Sequence, residues 1–173
     1  TSHGILWRDN PAQIIEKYLE WADDYQENQI TIVYDTMWNG TRRMAEAIAK
    51  GIKSADKDVT VKLFNASTSD KNDILTEVFK SKALLFGSFT INRGISYSIS
   101  GILEMVKGLS LKKKKAAAFG TYGWSGECVS IINKMLNESK IEVVSDGYRA
   151  LWNPDKDAVA KCIEFGADFV SKL

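Results

Sequence analysis

The segment from residue 30 to residue 52 constrains this chain more than any other. It opens with Ile30-Thr31-Ile32-Val33-Tyr34 and continues through Asp35-Thr36-Met37-Trp38-Asn39-Gly40-Thr41. It then places Met44, Ala45, Ile48, Ala49 and Ile52 along its last eleven residues. The first run is β-branched, apolar and short, as a buried strand is. The last has apolar residues at i, i+1, i+4, i+5 and i+8, one face of a helix. Between them lies a short loop of small and hydroxyl side chains. Such a strand, loop and helix N-terminus make an anion site, because loop amides and hydroxyls point at the ligand and the helix dipole favours negative charge.

The same unit recurs along the chain. Asp9 or Asn10 caps a leading helix that starts at Pro11 and runs to about Tyr25, with Ile14, Ile15, Tyr18, Leu19 and Ala22 expected to face inward. Residues 59–64 alternate in polarity and read as an edge strand, followed by a polar loop and a short helix marked by Ile74, Leu75, Val78 and Phe79. Residues 83–87 form an apolar strand that ends in a polar loop, residues 88–94. A third helix carries Ile99, Ile102, Leu103 and Val106 and is expected to close at Gly108. Residues 116–120 form a strand of small residues, then come a loop, residues 121–126, and a helix marked by Val129, Ile132, Met135 and Leu136. A broken fifth strand spans residues 141–144 and 148–152. Asn153 is expected to cap a last helix from Pro154, with Val159, Cys162, Phe165, Phe169 and Val170 inside.

Strands alternating with helices predict an α/β protein with a doubly wound, five-stranded parallel sheet and helices on both faces. Right-handed crossovers put every strand's C-terminal end on one edge, where ligands bind at the reversal of strand order. Three loops leave buried strands there: residues 36–41, 88–94 and 121–126. Composition narrows the ligand. The 173 residues are 45% hydrophobic and 26% charged, with a net charge of +1, enough for one domain with a real core. Without a basic stripe, nucleic acid is not an expected partner. No apolar run has the length of a membrane span, and no signal peptide is visible. Cys128 and Cys162 fall on apolar helix faces and read as buried free thiols of a reducing compartment, hence a cytoplasmic protein. Thr1 rather than Met opens the chain, as in a piece of a longer protein.

The first loop offers the side chains of Thr36, Asn39 and Thr41 and the amides of residues 37–41. It has no lysine and lacks the glycine spacing of triphosphate and dinucleotide loops, which leaves a monophosphate. The other loops bring Phe89, Tyr122 and Trp124 to the same edge, suited to a planar heteroaromatic ring. A ring with one phosphate points to flavin mononucleotide, FMN.

Taken together, Tyr34-Asp35-Thr36-Met37-Trp38-Asn39-Gly40-Thr41, Gly87-Ser88-Phe89-Thr90-Ile91-Asn92-Arg93-Gly94 and Ala117-Ala118-Phe119-Gly120-Thr121-Tyr122-Gly123-Trp124-Ser125-Gly126 resemble the flavodoxin-like domain of the flavodiiron proteins. That family includes the flavorubredoxin nitric oxide reductases and the rubredoxin:oxygen oxidoreductases. The resemblance covers nearly the whole chain, including Ile5-Leu6-Trp7-Arg8 and Tyr18-Leu19-Glu20-Trp21. It implies strand order 2-1-3-4-5. It also implies an FMN phosphate held by Thr36, Met37, Trp38, Asn39, Gly40 and Thr41. The ring would be held by Ser88, Phe89, Thr90, Ile91 and Asn92 and by Thr121, Tyr122, Gly123, Trp124, Ser125 and Gly126. In the family, the flavin receives electrons from rubredoxin or a similar donor. It passes them to a diiron centre in a β-lactamase-like domain, and a head-to-tail dimer brings the flavin near the partner's irons. With His3 as its one histidine, this chain lacks that iron site. Ser2-His3-Gly4 resembles the family's last iron-ligand segment. Residues 1–28 then read as the end of the iron domain and a connector helix, and residues 29–173 as the FMN domain.

Other readings compete. The same fold serves free-standing flavodoxins and flavin-dependent NAD(P)H:quinone reductases, against which the connector helix and near-zero charge argue. A receiver-type signalling module needs an acidic cluster at the strand ends, where only Asp35 stands. Gly123-Trp124-Ser125-Gly126 lacks the second glycine of a hydrolase nucleophile elbow. Trp152 is expected in the core or at the rim. Residues 112–115, four lysines, read as a solvated turn, with a docking patch for an acidic donor as the alternative. Gly94 is a candidate for backbone movement on reduction.

Overall fold

In the computed structural model, which describes residues 3–173, the apolar run at residues 30–34 is the inner part of a longer strand, β1 (Glu27–Tyr34). Thr1 and Ser2, hence part of the Ser2-His3-Gly4 match, lie outside the described residues. The elements follow as α1 (Ala12–Ala22), β1, α2 (Gly40–Ala55), β2 (Thr60–Asn65), α3 (Lys71–Lys80), β3 (Ser81–Phe89), α4 (Tyr97–Leu109), β4 (Lys115–Tyr122), α5 (Cys128–Glu138), β5 (Glu142–Val143), β6 (Tyr148–Leu151) and α6 (Lys156–Val170). The sheet is parallel, in the order β2-β1-β3-β4-β5. The expected broken fifth strand is real: β5 pairs the start of β4 and β6 its end, on the same side.

Strand alternation splits the core in two. Ile30, Ile32, Ala83, Leu85, Ala117 and Phe119 face α2 and α6, while Val33, Leu84, Phe86, Ala116 and Ala118 face α3, α4 and α5. Each large apolar side chain fully buried this way stabilises by about 1.5–3 kcal/mol. The helices α2 and α6 cross closely because glycines line the crossing. A Cβ on Gly51 would fall 1.9 Å from the Ile163 carbonyl oxygen, and one on Gly166 2.2 Å from that of Ile48.

At the N-terminal edge of the sheet the core closes with polar groups that satisfy one another. Gln29 Nε2 donates to Ser81 Oγ (3.0 Å) and Glu77 Oε2 (3.0 Å), and the hydroxyls of Thr31 and Ser81 pair at 2.8 Å. Lys114 belongs here too, so the lysine run is not a uniformly solvated turn. Its side chain is buried and donates to the carbonyl oxygens of Phe79 (2.7 Å) and Ser81 (2.6 Å). Burial lowers its pKa to about 8.

Four further expectations need correction. The leading helix stops at Ala22, and none of its residues is buried: Ile15, Tyr18 and Leu19 are 62%, 62% and 67% exposed. Its periodicity marks a face that wants cover, but periodicity does not supply the cover. Within this chain it is tied down mainly at its end, by Trp21 edge-on to Phe79 (6.3 Å) and by the Lys113–Asp24 ion pair (2.9 Å) just beyond. Helix α4 runs past Gly108 to Leu109, and Ser110 takes the left-handed position (φ 52°). The cap of α6 is Asp155, whose carboxylate accepts from the Ala158 amide at 2.8 Å, not Asn153. Both residues are competent caps, and only Asp155 stands one residue before the helix.

Candidate functional site: a cleft at the strand C-terminal ends

The three loops singled out in the sequence meet at the C-terminal edge of β1, β3 and β4. They enclose, with the loop after β6, a cleft of about 870 Å³. Its lining includes Met37, Trp38 and Gly40 from the first loop, Phe89, Thr90, Asn92 and Arg93 from the second, and residues 121–125 from the third. That volume suits a drug-sized ligand.

The first loop is built as an anion cradle. Asn39 adopts a left-handed backbone (φ 61°) and turns the chain into α2 without a side-chain cap. The amides of residues 37–42 donate to no acceptor among the described residues. Thr36 Oγ1 is buried and likewise lacks a hydrogen-bond partner. A buried orphan hydroxyl is costly unless a ligand satisfies it, and open amides at a helix N-terminus are taken up by water or by a ligand. The β1 end is held by Asp35, whose carboxylate accepts from the Thr36 amide (2.7 Å) and the hydroxyls of Ser67 and Ser98. Both its oxygens are thus committed to fixing loops.

The walls are aromatic and apolar. Trp38, Trp124 and Trp152 are 81%, 95% and 70% exposed around the opening, faces that a bound ring would cover. The Gly123 Cα packs so near the Trp152 indole that an added Cβ would stand 3.0 Å from it. Tyr122 lies under Arg149, whose guanidinium is 5.7 Å from the ring and donates to the Gly126 carbonyl oxygen at 3.2 Å.

Several predicted site residues shape the cleft rather than line it. Thr41 is buried and its hydroxyl pairs with that of Thr121 at 2.9 Å, joining first and third loops. Ser88 is fully buried, donating to the Phe89 carbonyl oxygen (2.8 Å) and accepting from the Ser96 amide (3.0 Å). Thr36, Asn39, Ile91 and Gly126 sit in the right loops but outside the lining. In the second loop, Ile91 and Gly94 exchange backbone hydrogen bonds (3.3 and 2.7 Å) around Asn92 and Arg93, at φ 50° and 59°. This is the geometry of a type I′ turn. The left-handed positions fall on Asn92 and Arg93; Gly94 is not among the positive-φ residues.

Three lining residues were not among the predicted ligands: Arg93, Trp152 and Asn153. Arg93 lies within the loop that the sequence marks, and Trp152 stands at the rim, one of its two expected places. Asn153 had only a helix-cap signal. It accepts instead from Arg43 at 3.0 Å. Cys128 is buried beside Thr121, and burial pushes its thiol up, so it presents no reactive thiolate.

A parallel 2-1-3-4-5 sheet with an amide-rich cradle after β1 and an aromatic cleft over β3 and β4 defines a mononucleotide-binding, doubly wound protein. The flavodoxin family model matches residues 32–166, and the chain belongs to the flavodoxin family. FMN is the cofactor that goes with this membership, and the orphan amides and open aromatic walls fit a phosphate and a flat ring. An anaerobic nitric oxide reductase flavorubredoxin of Klebsiella pneumoniae is 52% identical over 168 residues, 97% of this chain and 35% of its own length. The Aliivibrio fischeri flavorubredoxin is 53% identical over 172 residues, 99% of this chain and 34% of its own. This chain thus spans about a third of the curated relatives that it matches. The solved flavodiiron protein of Giardia intestinalis matches with a TM-score of 0.88 at 29% identity, over 98% of this chain and 42% of that one. The rubredoxin oxygen:oxidoreductase of Desulfovibrio gigas gives 0.86 at 27%, over 95% and 41%. Among the described residues, no helix is long and apolar enough to cross a membrane.

Proposed function

We propose that this chain is the FMN-carrying electron-entry module of a larger nitric oxide or oxygen reductase. It takes electrons from rubredoxin or a similar one-electron donor and delivers them to a diiron centre on a domain outside this sequence. The observation that carries the reading is the cleft itself, where an acceptor-free run of amides at the N-terminus of α2 adjoins exposed aromatic walls. When bound, FMN supplies the redox chemistry, taking electrons singly and holding two. The chain's own residues bind and orient it. Residues 36–41 receive the phosphate, Thr36 through its unpartnered hydroxyl and residues 37–41 through their open amides, and Phe89, Thr90, Asn92 and residues 121–125 frame the ring. Trp38, Trp124 and Trp152 exclude water from its faces.

The division into residues 1–28, a connector with the end of an iron domain, and residues 29–173, the FMN domain, is supported by α1. Its apolar side chains stay exposed here, as those of an inter-domain connector are. A free-standing flavodoxin has no use for that face. Two buried free thiols suit a reducing compartment, the cytoplasm.

The test is direct. The purified chain is expected to show twin flavin absorption bands, to release FMN one-to-one, and to be reduced by reduced rubredoxin in stopped-flow mixing. A chain that takes up no added FMN overturns the reading. FMN uptake without electron transfer from rubredoxin overturns the donor assignment alone.

A further inference from the structure

Arg93 is the single charged side chain among the residues that line the cleft. Its position is fixed by the backbone. Asn92 and Arg93 form the tip of the turn whose ends, Ile91 and Gly94, are joined by two hydrogen bonds. From that tip the guanidinium Nε reaches Glu127 Oε1 at 3.4 Å. The other Glu127 oxygen accepts from Ser125 Oγ at 2.7 Å. A chain of Ser125, Glu127 and Arg93 therefore joins the third loop to the second. The two ends are unequal: the Arg93 side chain is 87% exposed, that of Glu127 only 25%. Glu127 is the more enclosed partner and Arg93 the more exposed one. Glu127 stands just before α5 but makes no side-chain cap bond, so its carboxylate is committed to Ser125 and Arg93.

We propose that Arg93 sets the redox poise of the cleft, favouring the reduced state of the bound flavin, and that Glu127 tempers this by holding and partly neutralising the guanidinium. The proposal rests on the FMN reading above. A bound flavin would take up each electron with or without a proton from solvent. Entry without one adds negative charge, which a cation in the cleft stabilises and a carboxylate beside that cation offsets. For an exposed charge at separations that a cleft of this size allows, the effect is about fivefold in an equilibrium constant. It weakens with added salt. Arg93 thus acts on the ligand by charge, and Glu127 acts largely through Arg93, as a positioning residue.

The experiment measures FMN affinity of the full chain in the oxidised and the dithionite-reduced states, with Arg93→Gln, Arg93→Lys, Glu127→Gln and the Arg93→Gln/Glu127→Gln pair. In Arg93→Gln the preference for reduced FMN is expected to fall about fivefold, which is a midpoint roughly 20 mV lower for two electrons. Arg93→Lys is expected to keep most of the preference. Glu127→Gln is expected to shift it the other way, and to lose the part of that shift that comes from holding Arg93 when Arg93 is already Gln. An unchanged preference in Arg93→Gln, with FMN still bound, overturns the proposal and leaves the FMN reading standing. A Glu127→Gln shift that persists undiminished in the pair overturns the positioning role given to Glu127. An unmodified chain that binds FMN in neither state overturns both readings.

Discussion

Lys114 shows what a single residue gains from its position. Its neighbours Lys112 and Lys113 are exposed, yet Lys114 turns inward to two carbonyl oxygens at the lower edge of the sheet. Burial depresses its pKa to about 8, below the value near 10.4 of an unfolded lysine. Between these two values the unfolded chain binds more protons than the folded one, so this group makes stability rise with pH across that window. Below pH 8 both states are protonated and the contribution is flat. Urea unfolding at pH 7, 8, 9 and 10 is expected to show the wild-type chain gaining stability relative to Lys114→Met above pH 8. A constant difference across the series would count against the buried position. The lysine run was visible in the sequence, but which lysine turned inward was not. Four identical side chains carry no signal, and only the carbonyls left open by Phe79 and Ser81 select one.

At the scale of elements, strand and helix identity was legible because period-2 and period-3.6 patterns survive in this chain from β1 to α6. Boundaries were less so: β1 begins three residues earlier than its apolar run, and α6 two residues later than its proline suggests. The crossing of α2 and α6 depends on two glycines whose role no periodicity reveals. Gly166→Ala is expected to cost about 1–3 kcal/mol, because its Cβ would fall on backbone that cannot yield without parting the helices. Gly101→Ala, on the open face of α4, is expected to gain up to about 1 kcal/mol from helix propensity. Chemical denaturation of the two variants side by side checks both signs. The α1 helix marks the other limit. Its amphipathic pattern reads correctly as a helix and wrongly as a buried one, since nothing among the described residues covers that face.

For the whole molecule, the cleft couples stability to its ligand. FMN at a hundred times its Kd is expected to stabilise the chain by about 2.7 kcal/mol. For a domain of this size that raises the melting midpoint by roughly 5–10 °C. Riboflavin, which lacks the phosphate, leaves the amides of residues 37–42 without an acceptor, and its effect at equal concentration is expected to be much smaller. Thermal melts with each ligand check this. Equal shifts would move the anchor of binding from the first loop to the aromatic walls.

By itself the sequence determined the alternation of strands and helices, and therefore the edge at which three polar loops converge. That much follows from local patterning and from the fixed hand of parallel crossovers. It also named most of the cleft, because hydroxyl, glycine and aromatic residues gather in those loops. Only the tertiary structure decided which of them line the cleft. Thr41 and Ser88 are spent on hydrogen bonds between loops, while Arg93, Trp152 and Asn153 are brought to the lining. The reason is physical: side-chain direction at a loop tip is set by contacts between segments far apart in the chain, and a one-dimensional pattern does not contain them.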